Sequence, residues 1–387
     1  MTRFLELLTS LLIVVVLFVV VALALPDHRS VRHSVDTSHP LRQVYDTLNS
    51  FKRFPDWNPL RQHDPHVQYE LSGPDRGVGA RLDYVSKRKE FGSGSWHITE
   101  SEQDDHIRYT VYDDAYGRNK NHLLQFDQNG KIVEIDWTYS VDYGWSLPGR
   151  YAGLYVDRTV GDDVKRSLAN VSNLLASMPN FDYRNLDVQV RAMAPRNILY
   201  VTTTSDRNIT AVENAMDVAL QDIRAAIKAN KLVEAGRPRL ITTNFGTDKY
   251  EFDVAIPVVG VEDAPVAEEE VAATDADAAQ TDAPVDDMDS ESALVLQPHE
   301  VDLTPPPPLE NLRLPDNVRI GQTYGGRVLM APYRGHPAAL PLIRDQLRSY
   351  AAAYGEQVQD RAFEEYLTEI ADTAAEDARF RVYWPIK

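Results

Sequence analysis

Between Val261 and Leu312 the chain has no lysine or arginine, 15 aspartates or glutamates and no aromatic residue, and the stretch includes the proline run Pro305 to Pro308. Such a segment buries too little apolar surface to offset the entropy of ordering it, and its like charges repel one another. It predicts a disordered, extended spacer over residues 259–314, stiffened at the prolines. Whatever folds must be built from the sequence on either side. A second use of the segment is as an acidic docking element for a basic protein partner. The 387 residues carry a net charge of −18, and with 15 of those charges in this one segment the remaining 335 residues carry only −3. Nucleic-acid binding is therefore disfavoured less by charge than by the lack of a basic stripe and of a DNA-reading motif. There is no cysteine, which removes disulfides, thiolate metal sites and cysteine nucleophiles from consideration.

The N-terminus constrains the chain in a different way. Leu7 to Leu25 is a run of 19 residues without a charge. As a helix it would extend about 28 Å, close to the thickness of a bilayer core. Pro26 and Asp27 end it, and a single membrane anchor is predicted over residues 4–26. Ala22-Leu23-Ala24 has the small-x-small form of a signal-peptide cleavage site, but the apolar run exceeds the usual core of a signal sequence. Arg3 on one side and Arg29 and Arg32 on the other leave the positive-inside comparison nearly balanced. The periplasmic side is the expectation for the rest of the chain.

Residues 29–178 read as strand, helix, a meander of strands and a final helix. Val31 to Val35 suits a strand, and Leu41, Val44, Tyr45 and Leu48 share a helical stripe. From Ile132 to Tyr143, Val133, Ile135, Trp137, Tyr139, Val141 and Tyr143 fall on one face and polar residues on the other, the period of a half-buried antiparallel strand. Val160, Val164, Leu168, Val171, Leu175 and Met178 then recur at helical spacing. A curved antiparallel sheet around such a helix leaves a cavity between the two. On this order, and on Phe54-Pro55-Asp56-Trp57-Asn58-Pro59, the segment resembles the START-like (SRPBCC) superfamily and its polyketide cyclase/dehydrase-type members. The resemblance implies a helix-grip fold with a cavity for a hydrophobic ligand, and Trp57 near its mouth. Trp137 and Tyr139, with Trp96 and Tyr84, are the candidate wall. Catalytic signals are weak. His63, Asp64 and His66 are expected in an exposed loop, without the third ligand a metal needs. His97 and His122 sit on predicted strands, where a structural role is expected, and Asp113 and Asp114 before Tyr116-Gly117 mark a hairpin turn. No cofactor and no metal are expected.

Residues 182–258 and 315–387 repeat each other. Ile198 to Thr203, a helix over Ile209 to Ala229 and strands Arg239 to Asn244 and Tyr250 to Val258 are matched by Val328 to Pro332, a helix over Pro337 to Tyr354 and strands Ala362 to Leu367 and Arg379 to Ile386. Phe252-x-Val254-x-Ile256-Pro257 recurs as Phe380-x-Val382-x-Trp384-Pro385. Thr210 and Glu213 have the spacing of a capping box, with Asn208 as a rival cap. The expected fold is α+β throughout, the second part a pseudo-twofold domain of two β-α-β-β repeats with the acidic spacer inserted between them. Tyr250 to Pro257, Tyr333-Arg334-Gly335-His336, Glu364-Glu365-Tyr366-Leu367 and Val382 to Lys387 make this part similar to the GyrI-like small-molecule-binding family. That resemblance implies a carboxylate, Glu364, in an aromatic pocket with Tyr366, and Trp384, Tyr333 and Tyr200 are its aromatic candidates.

The function these features imply is a membrane-anchored small-molecule binder or sensor. One cavity would take a hydrophobic ligand and the other an amphipathic or cationic aromatic one. The alternatives are an enzyme, cyclase-like in the first part or a glutamate/tyrosine hydrolase in the second, and an interaction scaffold that docks through the acidic spacer.

Overall fold

The computed structural model describes residues 2–263, 301–368 and 377–387. Two compact units account for them, one comprising Met1–Asn185 with Arg348–Glu356 and the other Leu186–Leu347 with Gln357–Lys387.

The first unit begins with helix α1 (Thr2–Ala24), whose apolar side chains stand exposed along nearly its whole length. It is long and apolar enough to cross a membrane. Strand β1 (His28–Thr37), α2 (Leu41–Leu48) and the short helices α3 (Phe54–Trp57) and α4 (Leu60–His63) lead into β2 (Gln68–Ser72), β3 (Arg81–Val85), β4 (Ser93–Glu102), β5 (His106–Asp113), β6 (Arg118–Asn129) and β7 (Ile132–Asp142). They form one antiparallel sheet of seven strands in the order β1-β7-β6-β5-β4-β3-β2. The period of two anticipated in β7 holds, with Val133, Ile135, Trp137, Tyr139 and Val141 all buried. Asp136 is buried from the other side because Arg32 of β1 pairs with it. After α5 (Leu147–Ala152) and a π-turn at Asp157–Gly161, α6 (Asp162–Ala176) lays Val164, Leu168, Val171 and Leu175 on the sheet. Each such side chain contributes about 1.5–3 kcal/mol by burial. Gly117, at the β5–β6 turn, has φ +99°, and a Cβ there would collide with Val141, so the turn that shapes one end of the cavity requires glycine.

One expectation changes here: His63, Asp64 and His66 are not uniformly exposed. Of these three, only His66 is exposed. Asp64 is buried, accepting hydrogen bonds from the Ser86 hydroxyl (2.6 Å) and the His66 amide (3.0 Å), which hold its carboxyl below the usual range.

The second unit contains β8 (Gln189–Met193), β9 (Asn197–Asp206), α7 (Ile209–Ala229), β10 (Leu232–Glu234), β11 (Arg239–Phe245), β12 (Lys249–Gly260), β13 (Arg319–Gln322), β14 (Gly326–Arg334), α8 (Leu340–Ala353, which runs on into the first unit), β15 (Phe363–Tyr366) and β16 (Arg379–Pro385). Its sheet runs β13-β9-β12-β11-β15-β16-β14-β8, with β10 added against β12. Strands β9-β12-β11 and β14-β16-β15 thus occur in mirrored order about the β11–β15 pairing. Helix α7 is capped by Asn208, whose Oδ1 accepts from the Ala211 amide at 2.8 Å, and not by the Thr210/Glu213 box.

Most of the acidic spacer, residues 264–300, lies outside the described residues. Its C-terminal flank departs from expectation. Asn197 and Gln322 donate to the carbonyls of Pro307 and Pro306, each at 2.8 Å, and Asn230 holds both the amide (2.7 Å) and the carbonyl (2.9 Å) of Arg313. The prolines lack amides of their own but present carbonyls, and the asparagine and glutamine amides fasten them.

Candidate functional site

Glu364 stands where the two mirrored halves of the second sheet meet. In the β11–β15 register Leu240 opposes Glu364 and Arg239 opposes Glu365. Side chains alternate along a strand, so the neighbouring glutamates face opposite ways. Glu365 is fully occupied. Arg239 donates to its Oε1 through Nε (3.1 Å) and Nη2 (2.8 Å), and the Tyr383 hydroxyl donates to Oε2 at 2.8 Å. Glu364 is 1% exposed and lines a cavity of about 390 Å³. Tyr366, two residues on, lines it too. The first turn of α7 contributes Ile209, Val212 and Glu213, and the start of α8 contributes Leu340, Pro341 and Arg344.

The electrostatics centre on one ion pair. Arg344 Nε lies 3.3 Å from Glu364 Oε1, yet that oxygen accepts no hydrogen bond among the described residues. The Arg344 guanidinium instead donates to the Thr242 hydroxyl and to Tyr250 Oη (3.2 Å), and it lies 5.2 Å from the Phe245 ring centroid. Burial raises the Glu364 carboxyl above its ordinary value, with Arg344 opposing it. Burial next to Glu364 pushes the Tyr250 phenol up to about 12 and the Tyr366 phenol well above its usual range. The cavity therefore holds a carboxylate with an unfilled acceptor site, a fixed cation, two un-ionised phenols and an apolar wall of Leu240, Phe245 and Val212.

A smaller cavity of about 170 Å³ lies between the sheet and α6 of the first unit. Tyr84, Trp96, Trp137 and Tyr139 line it, with Leu60 and Phe91. His122 is enclosed by rings: Trp96 stacks on it at 4.6 Å, Tyr139 lies at 4.8 Å, and Trp137 Nε1 donates to its Nδ1 at 3.0 Å. That bond leaves the proton of the neutral ring on Nε2, and burial lowers its pKa to about 3. Lys120, also in the wall, is 5% exposed. Its ammonium donates to the Asp113 carboxylate and carbonyl and to the Ala115 carbonyl (2.6 Å). Three donors thus meet three acceptors, so this lysine closes the turn instead of offering a free amine.

Of the eight residues that the sequence proposes for ligand binding, Glu364 and Tyr366 line the larger cavity and Trp137 and Tyr139 the smaller. The other four line neither. Trp57 is fully buried behind the smaller cavity, packed edge-on against Phe54 (4.8 Å) and Trp137 (5.6 Å). Tyr200 opposes Ala255, which opposes Arg239, so it is on the sheet face away from Glu364. Trp384 and Tyr333 share the face of Glu364, but Trp384 is one repeat further along β16, and Tyr333 is separated by Phe380, on which it stacks. Sequence reading missed Arg344, Phe245 and Tyr250. Arg344 had a signal, a charge four residues after Leu340 on the apolar stripe of α8. Lys120 had one too, sharing the inward face of β6 with His122 and Leu124.

No protein-family model matches the chain, and no curated protein matches it. Solved structures similar to it are START/Bet v1-like proteins. One is the Aha1 dimer from Colwellia psychrerythraea, with 12% identity and a TM-score of 0.28 over 38% of this chain and 96% of the other. Another is norcoclaurine synthase from Thalictrum flavum in complex with dopamine and hydroxybenzaldehyde, with 14% identity and a TM-score of 0.31 over 38% and 87%. A third is a di-domain ARO/CYC protein from the steffimycin biosynthetic pathway, with 11% identity and a TM-score of 0.31 over 38% and 50%. At these values function is argued from the cavities alone.

Proposed function

We propose that the chain is a membrane-anchored small-molecule-binding protein whose principal ligand site is the cavity at Glu364. The observation that carries this reading is a carboxylate 1% exposed whose Oε1, although 3.3 Å from Arg344 Nε, accepts no hydrogen bond among the described residues. A buried acceptor left open is costly, and it is recovered when a ligand supplies the donor. The ligand class is an aromatic amphiphile that carries an N–H or ammonium group. Phe245, Tyr250 and Tyr366 would hold its ring, and Glu364 its donor.

Arg344 sharpens this class. The cavity wall holds Arg207 and Arg344 against Glu213 and Glu364, so its formal charge balances. Recognition rests on the directed bond to Glu364 rather than on a general pull on cations. This reading agrees with the GyrI-like resemblance, and the smaller cavity in the first unit would take a compact hydrophobic molecule. In a titration of the full-length protein with a cationic aromatic dye, Glu364→Gln should lose at least about tenfold in affinity, since a charged hydrogen bond contributes about 1.5–3 kcal/mol. A neutral dye of the same shape should bind both forms alike. Equal binding of the cationic dye to both forms would exclude Glu364 as the recognition group.

A further inference from the structure

The end of α1 is not free. Arg150, on α5, directs Nη1 at the carbonyls of Ala22 (3.5 Å) and Leu23 (3.3 Å) in the last turn of that helix and of Leu25 (3.1 Å) just beyond it, while its Nε donates to the Gly144 carbonyl at 2.8 Å. This satisfies acceptors that a helix C-terminus leaves open and sets a cation at its negative end. One residue on, the Tyr151 hydroxyl donates to the Phe18 carbonyl at 3.0 Å, and the two rings stack at 4.6 Å. Ala22 is 0% exposed beneath this contact, while Leu17, Val20 and Leu23 around it are 49–61% exposed.

Beside the contact lies a solvent-exposed aromatic surface. Trp145 is 82% exposed with its ring 5.8 Å from the Arg150 guanidinium carbon, and Leu154 and Tyr155 are 49% and 60% exposed. Asp157 and Arg158, both exposed, mark the polar edge beyond Tyr155.

We infer that Trp145, Tyr151, Leu154 and Tyr155 form a docking surface for a lipid bilayer, continuous with the apolar helix α1. The inference rests on α1 being a membrane anchor and adds how the first unit meets that membrane. Its support is a matter of depth. Phe18 lies seven residues before Leu25, about 10 Å along the helix axis. A bilayer that covers Leu7 to Leu25 therefore covers Phe18, and Tyr151 is bound to Phe18 at the same level. A unit fixed to α1 in this way brings α5 and the Gly153–Tyr155 turn against the headgroups. Tryptophan and tyrosine are the side chains favoured there, and Arg150 lies where a long cation reaches the interface.

The absence of cysteine makes the test direct. Single-cysteine variants Trp145→Cys, Leu154→Cys and Tyr155→Cys of the full-length chain would carry a nitroxide, with Val14→Cys as the reference inside α1. Each would be reconstituted in phosphatidylcholine–phosphatidylglycerol vesicles and its accessibility to oxygen compared with that to a water-soluble nickel chelate. The expected result is a shift towards oxygen at all three positions, shallower than at residue 14. Nickel-accessible labels at 145, 154 and 155, with residue 14 still oxygen-accessible, would overturn the docking surface and leave the anchor standing. A nickel-accessible residue 14 would overturn the anchor and the docking surface together. Spin–spin broadening with loss of access to both reagents would make the patch a contact between copies of the chain, and would also overturn the inference.

Discussion

His122 shows how one buried side chain imposes a pH dependence on a whole unit. Its surroundings of Trp96, Trp137 and Tyr139 offer no anion, so burial alone lowers its pKa to about 3 from the ordinary 6.5. Between those values the unfolded chain binds the proton and the folded chain does not, so stability falls as the pH is lowered from about 6.5 towards 3. The slope should approach about 1.4 kcal/mol per pH unit for this group. Chemical denaturation of the wild type and of His122→Gln at pH 7, 5.5 and 4 measures it. The difference in unfolding free energy between them should shift against the wild type as the pH drops, and a constant difference would show that His122 is solvated. Glu364 and Glu365 teach a related lesson. They are adjacent and chemically alike, yet one is closed in by Arg239 and Tyr383 and the other opens on a cavity. Strand alternation made their opposition legible in the sequence. Which of the two meets the cavity was legible only through the resemblance, because the choice depends on which face the helices cover.

At the scale of elements, local patterns carried well. The period of two in β7 and the period near 3.6 in α6, α7 and α8 located the strand and helices to within a few residues. Caps were less certain, because Asn208, Thr210 and Glu213 all have capping chemistry and only backbone geometry chooses among them. Asn208 has the extended backbone of a cap, φ −136° and ψ 152°, and Glu213 lines the cavity. Asn208→Ala should therefore destabilise the second unit by about 1 kcal/mol, a fall in melting temperature of about 2–4 °C. Thr210→Ala should change it by less. Differential scanning fluorimetry of both variants compares them, and an equal or larger loss in Thr210→Ala would return the cap to the box. Three aromatic candidates belong to this same scale. Tyr200, Tyr333 and Trp384 were named for the pocket that the resemblance implies, whereas the registers of β9, β14 and β16 decide what each ring faces.

For the molecule as a whole, the acidic segment is the feature to test by removal. Its described flank, residues 301–313, is held through Pro306, Pro307 and Arg313, so the functional boundary lies inside the predicted spacer. Replacing residues 264–300 with a Gly-Ser linker of about 20 residues should leave the melting temperature within about 2 °C, less than the shift expected of a 1 kcal/mol change. Extending the deletion to residue 313 should lower it further, because Asn197, Asn230 and Gln322 lose their acceptors. A loss already complete in the shorter deletion would place the stabilising contacts in residues 264–300. By itself the sequence determined the parts: an apolar helix, a meander closed by an amphipathic helix, a repeated β-α-β-β pattern and a charge-dense stretch that cannot form a core. These follow from periodicity and composition, which act over a few residues. Only the tertiary structure decided that Arg344 would stand 3.3 Å from Glu364, that Trp57 would pack behind a cavity wall, and that Arg150 would tie α5 to the end of α1. Each joins residues from separate elements, and burial makes such pairings strong while leaving no local pattern by which to read them.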